Sequence, residues 1–379
     1  MQLAKNLSHL GTETAFEVLA RAAALSAEGH DVINLGIGQP DFRTPEHVVE
    51  AGIKALRDGH HGYTPANGIL PLREAVAADF ERRHATSVHP DDIVIQPGGK
   101  PTIFFCILIF GEPGAEILYP DPGFPIYRSM IEYSGATAVP ILLKEKNEFA
   151  LTADEVLEKI TNKTRLIVLN SPANPCGGTT PKSQFDRLIK GLMEWPEVAI
   201  LSDEIYSQML YGGREHVTLL NYPEIRDRLI VLDGWSKTYA MTGWRLGCAV
   251  WPTKLTPIAT RLAINCHSCV NAATQFAGIA ALEGPQNPVK EMVAAFDERR
   301  KVILSALNLT EGFSCVEPSG AFYAFPNIQK TGMKAKDLQN FLLEKAHVAT
   351  VAGTAFGKNG EGFLRFSYAN SKDNIVEAI

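Results

Sequence analysis

Apolar residues recur along this chain at two different spacings. In the segment 45–59 (PEHVVEAGIKALRDG), Val48, Ile53 and Leu56 fall near the helical period, with a proline in the first turn and a glycine at the stop; 68–85 repeats the arrangement. Both are predicted to be amphipathic helices. Short runs rich in aliphatic and β-branched residues then follow at 93–95, 115–118, 166–169, 198–201, 229–232 and 247–251. Such runs, alternating with helix-period segments, predict an α/β fold whose central sheet is mostly parallel and covered by helices. Past Gly284-Pro285 the pattern changes to a long charged helix, expected over 289–307, and then to mixed segments that include FYAF and a strand in FLRFSYA. The expected organisation is an N-terminal segment (1–44) packed with a small domain, a large domain (45–285) and a small C-terminal α+β domain (286–379). Ser371 is positioned to cap a further helix in SKDNIVEAI, where a few more turns are expected to follow.

With 379 residues the chain is long enough for two domains and a cleft between them. Hydrophobic residues make up 45% and charged residues 21%, which excludes a disordered chain. The net charge of -6 offers no basic field, so nucleic acid is not an expected partner. The apolar stretch 103–110 is far shorter than the roughly 20 residues that cross a bilayer, and no membrane span is expected. Six scattered cysteines, and an N-terminus (MQLAKNLSHLG) without the blocks of a signal peptide, point to the cytoplasm.

The informative polar residues lie just after the strand-like runs, on the edge of a parallel sheet where ligands bind. Ser236-Lys237 follows LIVLDGW and is itself followed by TYAMTGWRLG, which puts Arg245 eight residues beyond the lysine. An amine can form an imine with an aldehyde, and a guanidinium suits a phosphate. LSDEIY carries Asp203 and Tyr206, NSPANPCGG carries Asn174, and QPGGKPT offers Gly99 and Lys100 at a predicted helix start. Backbone N–H groups at such a start bind phosphate, although the spacing is not that of a Walker loop. Each motif alone also has an ordinary reading: a solvated lysine, half of an acidic metal site, an Asn-Pro turn. With Glu204 pointing away from Asp203 on an extended segment and no histidine nearby, no metal is expected.

Read together with LGIGQPDF (35–42), HGYTPANG (61–68), DPGFPIY (121–127) and FLRFSYAN (363–370), these motifs resemble in type and order the class I and II aminotransferases. These are fold type I enzymes dependent on pyridoxal phosphate, and aspartate aminotransferase is the nearest pattern. The likeness runs from about residue 30 to 370. It implies that Lys237 holds pyridoxal 5'-phosphate as an imine and later acts as the base that moves the α-proton. It implies that Asp203 keeps the pyridine nitrogen protonated, that Asn174 and Tyr206 donate to the phenolic oxygen, and that Phe124 stacks on the ring. Gly99, Lys100, Ser236 and Arg245 would hold the phosphate, Lys100 mainly through its main chain, with Tyr63 reaching across from the neighbouring subunit of a homodimer. Arg365 would take the substrate α-carboxylate as a fork, beside Gly38 and Asn174.

Two positions depart from the pattern: Cys176 stands where relatives commonly have Thr, and Gly234 where many have a serine for the phosphate. The implied reaction is ping-pong transfer of an amino group between an L-amino acid and a 2-oxo acid. A lyase or synthase using the same cofactor is the alternative, and a non-catalytic binding module is a further one, opposed by the intact Lys237, Asp203, Asn174 and Arg245. LAINCHSCVN lacks the second arginine of some dicarboxylate-specific relatives, so the expected substrates span neutral, aromatic and acidic amino acids, with glutamate or alanine as common donor. The CxxC of Cys266 and Cys269 has no second pair and is not read as a zinc site.

Overall fold

The computed structural model describes residues 1–11 and 14–379. The strand-like runs become β1 (Ile93–Gln96), β2 (Glu116–Asp121), β4 (Thr164–Asn170), β5 (Ala199–Asp203), β6 (Leu229–Gly234) and β7 (Gly247–Val250), joined by an unexpected β3 (Thr137–Leu142). They form one sheet in the order β1-β7-β6-β5-β4-β2-β3. β7 is antiparallel to both its neighbours, and the other pairs are parallel. Pro140 explains why β3 escapes a sequence reading, since proline removes a ladder donor. It is tolerated because β3 is an edge strand bonded only to β2.

Alternation along the strands divides the core into two layers. Ile93, Ile95, Ile167, Leu169, Ile200, Leu229 and Val231 pack into a cluster on one face of the sheet. Their neighbours Val94, Leu166, Val168, Leu201, Ile230 and Leu232 pack into another on the opposite face. Helices cover both faces. The two expected amphipathic helices appear as Glu46–Arg57 and Leu70–His84, and the second buries Leu72, Val76 and Phe80 in the first of these clusters.

The C-terminal part has its own core. The long helix, Asn287–Leu309, buries Phe296, Ile303 and Leu307 against Phe322, Leu364 and Phe366. Truncating a buried ring such as Phe296 would cost ~3–5 kcal/mol. Beside this helix lies a three-stranded antiparallel sheet of Val351–Ala352, Leu364–Ser367 and Tyr323–Ala324. Ile33–Asn34 pairs in parallel with Val348–Ala349, which brings the segment that follows it, including Leu35, into this same core. Ser371 caps the helix Lys372–Ala378, its hydroxyl accepting from the Asn374 N–H at 3.1 Å. No helix among the described residues is long and apolar enough to cross a membrane.

Candidate active site

Because β1, β2, β4, β5 and β6 run in one direction, their carboxyl ends share an edge, and the chain leaves each of them carrying polar groups. Gly98, Gly99 and Lys100 follow β1, Phe124 follows β2, Asn174 follows β4, Asp203 ends β5, and Ser236-Lys237 follows β6. A cavity of about 580 Å³ opens there. Its walls include Lys237, Asp203, Tyr206, Asn174, Gly99, Lys100, Phe124, Ser236 and Arg245 from the sheet edge, and Gly38 and Arg365 from the C-terminal side. Eleven of the twelve residues singled out from the sequence therefore meet in one place. The other, Tyr63, is 93% exposed and lies outside this cavity, beside Cys269 and Val270.

Asp203 is buried at the end of β5. The Tyr127 hydroxyl donates to its Oδ2 at 2.6 Å and the Ile205 N–H to its Oδ1 at 3.3 Å. Burial pushes its carboxyl up to about 6, with the Tyr127 bond pulling the other way. A carboxylate so poor in water is matched by a cationic partner. Asn170 binds this turn to its neighbour: its side-chain amide donates to the Asp203 carbonyl at 3.0 Å, and its Oδ1 accepts from the Asn174 N–H at 3.0 Å.

Lys237 reaches the cavity from the short helix Trp235–Thr238, and its Nζ donates to the Gly38 carbonyl at 2.5 Å. At the opposite wall Arg365 is almost wholly buried. Its guanidinium donates to Asn174 Oδ1 at 3.0 Å and to the Gly36 carbonyl at 2.6 Å, and it lies 4.6 Å from the centroids of both Tyr323 and Phe356. Tyr206 and Tyr323 share a hydroxyl hydrogen bond of 2.7 Å between these two cations.

The end of the cavity at Gly98–Lys100 sets backbone against the Arg245 side chain. Gly98 has φ +88°, and a Cβ there would stand 2.2 Å from a terminal nitrogen of Arg245. The guanidinium thus rests on bare backbone next to the start of the helix Lys100–Phe110, where N–H groups and the helix dipole favour an anion. Arg245 is steadied by donating to the Thr242 carbonyl at 2.7 Å. An amine, a buried carboxylate and an anion cradle in one cavity fit a phosphorylated pyridine aldehyde.

Residues 30–379 match the family described as aminotransferase class I and II. Aspartate aminotransferase of Bacillus subtilis (strain 168) is 35% identical over the whole chain and 97% of its own length. That of Pyrococcus horikoshii is 38% identical over 96% of the chain and 92% of its length. Among solved structures, aspartate aminotransferase from Rhizobium meliloti superposes with a TM-score of 0.94 at 35% identity, covering 100% of this chain and 97% of that one. The chain belongs to the class I and II aminotransferases. It is a pyridoxal-phosphate-dependent enzyme of the α/β fold that these structures share.

Several details of this aminotransferase go beyond its sequence. Cys176 is buried in the sheet core and does not line the cavity, so the change from Thr leaves the cavity wall intact. At Gly234 a Cβ would meet the Gly247 Cα at 3.0 Å and the Ile205 side chain at 3.2 Å, so this backbone has closed over the space a serine would use. Glu204 does turn away from Asp203, but a histidine is near it after all: His216 Nε2 stands 2.7 Å from its Oε2, brought there by the loop after β5. The Lys100 ammonium lies 5.6 Å from the Phe124 ring and 5.7 Å from that of Phe16, so its side chain as well as its backbone borders the cavity. Tyr127, Tyr323, Asn170 and Phe16 were not among the expected residues. Tyr127 and Tyr323 sit in DPGFPIY and FYAF, segments already singled out, and two buried tyrosines next to a ligand motif are the signal that could have marked them.

Proposed function

We propose that this aminotransferase works by the ping-pong cycle with Lys237 as the cofactor-holding residue, and that it favours acidic amino acids. Bound there, pyridoxal phosphate supplies an aldehyde to hold the amino group and a ring that accepts the electron pair released at the substrate α-carbon. The chain's own groups do the rest. Asp203, stabilised as an anion by Tyr127, favours a proton on the ring nitrogen. Asn174 and Tyr206 donate toward the phenolic oxygen, while Phe124 packs on the ring face. Arg245, Ser236 and the Gly99–Lys100 backbone hold the phosphate. Arg365 would grip the α-carboxylate beside Gly38, and the Lys237 amine, once released, would take up the α-proton on its Nζ and pass it on within the cavity. The observation carrying this reading is the convergence of Lys237, Asp203 and Arg365 on one cavity.

The acidic preference is supported by relatives named aspartate aminotransferase and by the Lys100 ammonium, a further cation at the wall besides Lys237, Arg245 and Arg365, which are assigned to the cofactor and the α-carboxylate. One experiment separates the possibilities: the absorbance change of the loaded enzyme on mixing with L-aspartate, L-glutamate, L-alanine or L-phenylalanine. The acidic pair should react best, and Lys100→Ala should raise their KM by ~10–100-fold, the worth of a charged hydrogen bond, while sparing alanine. Equal loss for alanine would contradict the assignment, and release of ammonia with pyruvate from L-serine, whose β-hydroxyl can leave as water, would favour a lyase.

The assembly is read as a cytoplasmic homodimer with shared sites, consistent with free cysteines and with an outward-facing Tyr63 beside exposed Leu56. Sedimentation should give a dimer, and Tyr63→Phe should weaken cofactor retention. The division at 44/45 and 285/286 is supported by the separate core around Phe296 and Phe322.

A further inference from the structure

Tyr323 has no role in the cycle above, yet it touches Tyr206, Arg365 and Gly38, which do. Its hydroxyl meets that of Tyr206 at 2.7 Å. The Arg365 guanidinium lies 4.6 Å from its ring centroid. On its remaining side it is pressed against Gly38, whose Cβ, if present, would stand 2.4 Å from the Tyr323 oxygen. Tyr323 and Tyr206 are both nearly sealed from solvent, at 1% and 3% exposure, so water does not compete for their shared proton.

We propose that Tyr323 is a positioning residue that donates its hydroxyl proton to the Tyr206 oxygen and thereby turns the Tyr206 proton into the cavity. This rests on the reading of Tyr206 as a donor to the cofactor's phenolic oxygen. Two phenols sharing one hydrogen bond have two possible directions, and the charges around them choose. The groups facing the pair are Arg365 over the Tyr323 ring, Lys237 within 6.0 Å of the Tyr206 ring centroid, and Asp203 with its Tyr127 partner on the Tyr206 side. The guanidinium polarises Tyr323 toward giving its proton. Burial holds the Tyr206 hydroxyl well above the usual tyrosine range, with Asp203 adding to it against the pull of Arg365, so Tyr206 is a poor acid, and the guanidinium stacked directly on the Tyr323 ring makes Tyr323 the better donor of the two. Accepting a bond strengthens the one a hydroxyl donates in turn. Tyr323 thus links the site that grips the substrate carboxylate to the donor that tunes the cofactor.

The test is the pH midpoint of the bound cofactor's visible absorbance, measured on holoenzyme without substrate. Donation to the phenolic oxygen favours the form in which that oxygen shares no proton with the neighbouring nitrogen, so losing it raises the midpoint. Tyr323→Phe keeps the ring beneath Arg365 and should raise the midpoint by roughly half a unit to one unit. Tyr206→Phe should raise it at least as much, and adding Tyr323→Phe to that variant should do nothing more. An unmoved midpoint in Tyr323→Phe, with Tyr206→Phe shifted, overturns the proposal and leaves the Tyr206 reading standing; so does an equal further shift in the double variant. An unmoved midpoint in Tyr206→Phe overturns both.

Discussion

Lys237 and Gly38 are 199 residues apart in the chain, and the amine of one donates to the carbonyl of the other at 2.5 Å. The contact is possible because Gly38 has no side chain: a Cβ would collide with the Tyr323 hydroxyl. Gly38→Ala must therefore displace either the 36–39 segment or the Tyr323 ring at the cavity wall. A displacement of that size near reacting atoms costs up to ~100-fold in rate. Steady-state kinetics should show kcat/KM falling ~10–100-fold for acidic and neutral donors alike, because the α-carboxylate end of the site is common to both.

Asp203 gives the protein a pH dependence that the cofactor should remove. Its folded carboxyl is raised from the ordinary 3.8 to about 6, chiefly by burial, so the fold favours the neutral form. Its stabilising share is complete below about 4 and is lost as the pH rises through about 6. A cationic ring nitrogen reverses that loss. The gain in Tm on adding pyridoxal phosphate should then be larger at pH 7.5 than at pH 5, and Asp203→Asn should flatten the difference. A cofactor-induced gain that is the same at both pH values in the wild type would contradict it.

Behind the lysine turn lies a buried charge cluster. Arg83 donates to Asp79 at 2.6 Å and to Asp233 at 2.9 Å, while Asp233 also accepts from Ser207 at 3.1 Å and from the Gly234 N–H at 2.7 Å. The cluster ties the helix Leu70–His84 to the turns that carry Tyr206 and Lys237. Arg83→Met leaves both carboxylates buried with less compensation, and urea unfolding should register a loss of ~3–5 kcal/mol. A loss below ~1 kcal/mol, the level of a surface pair, would show that the cluster is not a clamp.

Much of this architecture is written in local pattern. Aliphatic runs such as 166–169 and 229–232 become strands because they fill both faces of a sheet, and the motifs after them land on one edge because those strands are parallel. What escaped the sequence depends on tertiary context. β3 hides behind Pro140, whose cost vanishes only at an edge. Tyr127 matters because its hydroxyl ends beside Asp203, and Tyr323 because strand pairing sets it under Arg365. The Glu204–His216 contact, across twelve residues of irregular chain, has no periodic signature. The helices Thr256–His267 and Ala272–Glu283 also went unmarked; the second buries residues on several sides, Thr274 and Gln275 among them, so no amphipathic stripe announces it.

The central claim is a single covalent attachment at Lys237. Holoenzyme reduced with borohydride, digested and mapped by mass spectrometry should carry the reduced pyridoxyl group on the peptide containing Ser236 and Lys237 and on no other. A label on Lys100, or none on Lys237, would contradict the account.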